Sequence, residues 1–282
     1  MGGDYMSELN QQLLAKTNGK ACADNIIISK NVRVTVLTER MLRVEFSSDG
    51  VFTDLPSQSV WYRDFGKVSY SHIESVDILK ITTDKAEFVN NNHNGSFKYA
   101  VIDGKQVSYN SEHNLKGTTR TLDGTYGPVE LKDGIISFDG VSIYDDSKTL
   151  LLCDDGMLES RKSGTKDIYV FAFGRNYIEW LNDFYKITGK PPLVPRYVLG
   201  NWWSRYRAYT QKEYEDLMTE FFRRDIPLTI ATVDMDWHWV DIKKHFGKCK
   251  KSDVKLGSGW TGYSWNTELF HDYKAFLQKL HD

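Results

Sequence analysis

The sequence predicts a β-sandwich followed by the first strands and helices of a (β/α)8 barrel, which these residues are expected to leave incomplete. Three observations predict it. Before residue 189 the chain breaks into many short strand-like pieces separated by Asp-Gly, Asn-Gly and Ser-Asp-Gly turns, the pattern of an antiparallel sandwich. From Gly189 to Trp237 it reads as a linker, a strand, a capped helix and a second apolar strand that ends in carboxylates. It then stops about 45 residues later, leaving about 90 barrel residues of a typical ~250.

The sandwich opens with residues 26–46, IIISKNVRVTVLTERMLRVEF, which alternate or run apolar in short stretches. KVSYSHI, VDILKITT, AEFV, FKYAVI, KQVSYN, GIISFDGVSIYDDS and TLLLC follow as further strands. Between Arg175 and Lys186, the residues Tyr177, Ile178, Leu181, Phe184 and Tyr185 form a helical stripe. Gly189 and then Pro191-Pro192 end that helix, which puts the domain boundary near residue 190: a sandwich over 1–188 and a barrel start over 189–282. No internal repeat or low-complexity tract is evident.

In the barrel part, Thr210 followed by Glu213 makes a capping box, because hydroxyl and carboxylate reciprocally satisfy first-turn and cap amides. Tyr214, Leu217, Met218, Phe221 and Phe222 recur at helical spacing. Arg223 and Arg224 suit the negative end of the dipole, and Pro227 forbids continuation. LTIATV, residues 228–233, is a β-branched run suited to a strand buried on both faces. Strand, helix and strand in this order favour a right-handed parallel crossover. Asp234 and Asp236 then sit at the C-terminal end of a parallel strand, where barrel enzymes build their sites. A last helix carries Tyr273, Phe276, Leu277 and Leu280 in register.

Composition narrows the function class. With 282 residues, 40% hydrophobic content and a formal net charge of −2, there is material for a large core and no basic excess to attract nucleic acid. No membrane span and no apolar leader segment is read in the sequence. Cys22, Cys153 and Cys249 are dispersed and odd in number, which fits reduced thiols in a cytoplasmic protein rather than a disulfide framework. Asn94-Gly95-Ser96 matches a glycosylation acceptor, a triplet that in the cytosol means only a turn. Eight Trp and 16 Tyr suit sugar sites, whose flat rings cover pyranose C–H faces, but they suit a large core equally. His238 has no second histidine at ligand spacing, so neither a metal nor any other cofactor is expected.

RYVLGNWWSRY, IPLTIATVDMDWH and GWTGYSWNTELFHDYKAFLQKLHD resemble the opening of the catalytic barrel in glycoside hydrolase family 31, the α-glucosidases, α-xylosidases and related transglycosidases. Upstream, VRVTVLTERMLRVEFSSDGVFTDLPSQSVWYRDF, NLKGTTRTLDG, DGIISFDGVSIYDDS and DIYVFAFGRNYIEWLNDFYKITGKPPLVPRYVLG are similar to that family's N-terminal sandwich and its junction with the barrel. The resemblance runs in order from about residue 30. It implies a carbohydrate substrate, an oligosaccharide or other α-glycoside, and roles for individual residues. Asp234 resembles the aspartate that binds sugar hydroxyls in the −1 subsite; read without the family, it caps a following turn. Asp236 supports Asp234 without touching the sugar, or forms a turn. Trp202 is similar to the tryptophan lining the same subsite, or is a core residue, with Trp203 and Arg205 beside it. Asp123 resembles the aspartate of a sandwich loop over the barrel mouth, or is the first residue of an Asp-Gly turn. Trp260, Tyr263 and Trp265 form a sugar-facing wall or a satellite hydrophobic cluster.

Retaining glycosidases need two carboxyl groups about 5–5.5 Å apart. By the resemblance the nucleophilic aspartate follows the fourth strand and the acid/base lies later still, so both are expected beyond Asp282. The chain is therefore read as the N-terminal portion of a retaining α-glucosidase-like enzyme. The alternatives are a non-catalytic carbohydrate- or partner-binding product, a product with no activity, or, when complete, an α-xylosidase or transglycosidase. Sugar, linkage, hydrolysis versus transfer and oligomeric state are not encoded in these residues.

Overall fold

The computed structural model describes residues 15–117, 119, 121–240, 242–245, 259, 260 and 262–281; Cys249 lies outside them. The chain divides into two compact units, residues 1–191 and 192–282. The first unit contains strands β1 (Ile26–Ser29), β2 (Val32–Thr38), β3 (Met41–Ser47), β4 (Tyr70–Glu74), β5 (Ile78–Thr83), β6 (Glu87–Asn91), β7 (Phe97–Ile102) and β8 (Lys105–Val107). It continues with β9 (Asn114–Leu115), β10 (Ile136–Ser137), β11 (Val141–Asp145), β12 (Leu151–Leu152), β13 (Leu158–Glu159) and β14 (Thr165–Ala172), and closes with helix α1 (Tyr177–Thr188). Two five-stranded antiparallel sheets dominate it, ordered β1-β2-β3-β14-β11 and β4-β5-β6-β7-β8. The predicted turn chemistry is visible between β7 and β8, where Asp103 and Gly104 both take positive φ, 51° and 73°, as a tight hairpin turn requires.

Alternation along the strands separates the faces. Val32, Val34 and Val36 of β2, Leu42 and Val44 of β3 and Val170 of β14 share one core with Leu79, Ile81, Phe88 and Ala100 of the other sheet. The reverse face of the first sheet is also buried. Met41, Tyr169 and Phe171 pack there against Trp180 and Ile187 of α1. The indole of Trp180 stacks on Phe184 at 5.1 Å and donates to Ser142 Oγ at 2.7 Å. Tyr177, Leu181 and Phe184 of the predicted α1 stripe pack on this core, while Ile178 is exposed and Trp180, Asp183 and Ile187 face inward as well. Eight-residue β14, absent from the predicted strands, pairs with both β3 and β11.

Further along that reverse face the strands bury charge. Arg33, Glu45, Arg43, Asp167, Arg161 and Asp146 alternate in one chain of ion pairs, from Arg33 Nε–Glu45 Oε2 at 2.6 Å to Arg161 Nη2–Asp146 Oδ2 at 2.6 Å. Arg43 grips Asp167 through Nε at 2.9 Å and Nη2 at 2.7 Å, and both Arg33 and Arg43 donate to Thr53 O. Burial pushes Glu45 and Asp146 up. Burial works in the same direction on Asp167, but Arg43 outweighs it and holds this carboxyl below the usual carboxylate range.

The second unit contains β15 (Trp202–Trp203), α2 (Gln211–Arg223), β16 (Ile230–Ala231), the single turn α3 (Ile242–His245) and α4 (Tyr273–His281). β15 and β16 pair in parallel, Trp202 opposite Ile230. The capping box of α2 is present: Thr210 Oγ1 accepts from Glu213 N, and Glu213 Oε2 accepts from Thr210 N at 2.9 Å. Two expectations are corrected. The 228–233 run contributes only two ladder residues and is half-buried rather than buried on both faces, because β16 has one neighbouring strand among the described residues. Phe222 leaves the α2 stripe and is 87% exposed. No sheet among the described residues closes, and no helix among them is long and apolar enough to cross a membrane.

Residues 190–197 join the units in an exposed run, with Leu193 fully exposed. Limited tryptic digestion is expected to cut at Arg196 and leave a resistant fragment of the first unit. A uniformly resistant chain on the gel would contradict that expectation.

Candidate functional site

Helix α2 lies on one side of the β15–β16 pair, and alternation sorts the residues of both strands. Trp203, Ala231 and Val233 join Tyr214, Phe270 and Phe276 in the apolar cluster of this unit. Trp203 meets Phe221 at 5.1 Å between ring centroids, and its buried Nε1 has no partner. The Tyr214 hydroxyl donates to Thr232 O at 2.8 Å, tying helix to strand end, and burial pushes this phenol up to about 12. Trp202 and its register partner Ile230 are of the opposite parity and stand outside that cluster. Thr232 and Asp234 continue their parity along extended backbone, Asp234 having φ −78° and ψ 178°.

Trp202 is 53% exposed, and its Nε1 donates to Val198 O at 2.8 Å, fixing the indole. Asp234 caps the 3-10 turn Met235–Trp237: its Oδ1 accepts from Met235 N at 2.7 Å, and Oδ2 has no hydrogen-bond partner among the described residues. The turn-capping role read without the family is therefore realised, with one carboxylate oxygen to spare. Asp236 sits inside that turn, half-buried.

The aromatic wall is held mainly as a cluster. Trp265 stacks on Tyr273 at 4.9 Å and 8°, meets Trp237 edge-on at 5.1 Å, and lies 5.7 Å from Phe270. Trp260 and Tyr263 are largely exposed. His238 is buried and pairs as an isolated bridge with Trp265, its Nδ1 3.3 Å from Trp239 O. Among the described residues no three His, Cys, Asp or Glu side chains converge as a metal site. Asp123 belongs to the first unit, in an exposed turn that Thr125 N closes onto Leu122 O at 3.0 Å, with Gly124 at φ 70°. A groove of about 550 Å³ between α2, α4 and residues 225–231 is lined by Met218, Phe222, Ile226 and Leu228 and lies before the carboxylates, not at them.

The sequence reading missed the Tyr214–Thr232 tether. The signal was a tyrosine in an otherwise aliphatic and phenylalanine stripe, since a buried phenol needs an acceptor.

A family model described as the glycosyl hydrolases family 31 TIM-barrel domain matches residues 191–282. Over these residues the chain is similar to glycoside hydrolase family 31. The family 31 match takes in β15, α2 and β16, and so Trp202 and Asp234. An uncharacterized family 31 glucosidase of Pseudescherichia vulneris is 34% identical over 80 residues, 28% of this chain and 15% of that protein. An α-xylosidase of Saccharolobus solfataricus is 26% identical over 120 residues, 43% of this chain and 14% of that protein. The family 31 dextranase of Flavobacterium johnsoniae, solved with isomaltotriose, shares the fold at a TM-score of 0.56 and 16% identity. That match covers 93% of this chain and 35% of the dextranase, so this chain spans a minor part of the family 31 proteins it matches.

Proposed function

We propose that this chain supplies the N-terminal sandwich (1–188) and the opening of the catalytic (β/α)8 barrel (189–282) of a retaining α-glycosidase that cleaves O-glycosidic bonds. The observation that carries the proposal is the shared face of Trp202 and Asp234 at the C-terminal end of a parallel strand pair, inside the stretch that matches the family barrel. A carboxylate is acceptor-only and takes hydroxyl donors. With Oδ1 engaged by Met235 N, Oδ2 is left for a sugar hydroxyl of the −1 subsite, and the exposed indole of Trp202 offers a flat apolar surface beside it. Asp236 supports the turn that positions Asp234. Trp265, backed by Tyr273, is the remaining sugar contact of this proposal in the second unit. The curated relatives carry both glucosidase and α-xylosidase names, so the reading stops at an α-glycoside. Free Cys22 and Cys153 fit a cytoplasmic setting.

The two reacting carboxyl groups are assigned to parts of the catalytic domain outside this chain. Purified residues 1–282 are accordingly expected to give no hydrolysis of an aryl α-glucoside above background. Turnover that survives repurification and disappears on Asp234→Ala would overturn the assignment and place a reacting pair within these residues.

A further inference from the structure

We propose that Tyr214 is a positioning residue for the glycosidic reaction: without touching sugar, its hydroxyl fixes from helix α2 the stretch of backbone that carries Asp234 to the site. This role rests on the reading of Asp234 as a −1 subsite contact, and its geometry lies wholly within the second unit.

The β15–β16 ladder ends with the pair Trp203 and Ala231, short of Asp234. Beyond it Thr232 keeps one bond to β15, its N donating to Trp203 O at 2.9 Å. Its carbonyl goes to the helix instead, accepting from the Tyr214 hydroxyl at 2.8 Å. Both backbone groups of Thr232 are thus held, by different elements, just before the carboxylate. No second strand flanks β16 among the described residues, so the helix supplies the restraint that a ladder would otherwise give.

The donor is itself held in place. The capping box at Thr210 and Glu213 fixes the first turn of α2. Gln211 ties that turn to the segment before α4, its N donating to Leu269 O at 2.8 Å and its Oε1 accepting from Asp272 N at 3.1 Å. Tyr209 and Phe276 meet the phenol ring edge-on at 5.4 and 5.8 Å between centroids. Tyr214 is 1% exposed, which keeps it from substrate, and burial keeps its hydroxyl protonated, a donor across the neutral range. Phenylalanine would fill the same space, so what tyrosine adds is the bond to Thr232.

Tyr214→Phe removes that one bond and keeps the ring. Hydrogen–deuterium exchange of the purified chain, read by mass spectrometry, is expected to speed up about tenfold over residues 233–237, where Met235 N is held by Asp234 Oδ1; the strands of the first unit serve as an unchanged reference. The kinetic effect is read in a polypeptide carrying this chain together with the rest of its catalytic domain. There kcat on an aryl α-glucoside should fall about three- to tenfold with KM little changed, because a −1 contact that strengthens in the transition state acts on kcat. Added to Asp234→Asn, the change should cost nothing further, since the tether acts only through that carboxylate. Three results would overturn the proposal: unchanged exchange over 233–237, a normal kcat in spite of faster exchange, or losses that multiply in the double variant. Near-normal kinetics of Asp234→Asn beside faster exchange in Tyr214→Phe would instead bring down the −1 subsite reading, and the positioning role of Tyr214 with it.

Discussion

Arg43→Ala is expected to destabilise the first unit by about 3–5 kcal/mol in urea unfolding. Arg43 is 1% exposed and stands between Asp167 and Glu45, contacting both within 3.0 Å. Its removal leaves two buried carboxylates short of a partner and Thr53 O with one donor fewer, and a desolvated charge without a partner is far more expensive than the pair itself. The same physics makes a second outcome specific. Arg43→Met together with Asp167→Leu removes the pair as a unit and should cost less than the sum of the two single changes, because apolar replacements of a buried ion pair are often near neutral. Additive single and double costs would show that water reaches the network. Acid should act in the same direction. Asp167 is depressed in the fold, so its contribution is present above its unfolded pKa of about 3.9 and is lost as pH falls through the folded value.

This network explains what the sequence concealed. The strands of the first unit were legible where Gly-containing turns separate apolar runs, as at Asp103-Gly104. β14 was not, because TKDIYVFA places Asp167 and Tyr169 on one face and Ile168 and Val170 on the other, and all four are buried. Period-two alternation marks a strand when one face is wet; here the 51–65 segment and α1 cover the second face, and only tertiary structure reveals the cover. One edge of the α1 stripe was misplaced for a similar reason, since Ile178 and Trp180 are both apolar and only packing on Phe171 and Phe173 selects the indole.

In the second unit the capping box and the apolar run before Asp234 were readable from residue type and spacing alone. The turn after Val233 was legible from Asp234 as its cap, but not that a single oxygen, Oδ1, takes the amide of the next residue. Nor was the place of Trp265, which follows from a stack on Tyr273 eight residues later in the chain.

The central proposal is that Asp234 holds a sugar hydroxyl with the oxygen its turn does not use. The most direct measurement is kcat/KM of Asp234→Asn, with aryl α-glucoside and α-xyloside, in a polypeptide carrying this chain together with the rest of its catalytic domain. Asparagine keeps an oxygen for Met235 N but replaces the second acceptor with a donor and removes the charge, so a charge-assisted hydrogen bond is lost while the cap survives. A fall of roughly 30- to 1000-fold is expected, about 2–4 kcal/mol of transition-state stabilisation, with the melting temperature nearly unchanged and a smaller effect for Asp236→Asn. Near-normal kinetics together with a sharply lowered melting temperature would contradict it and make Asp234 a structural cap alone.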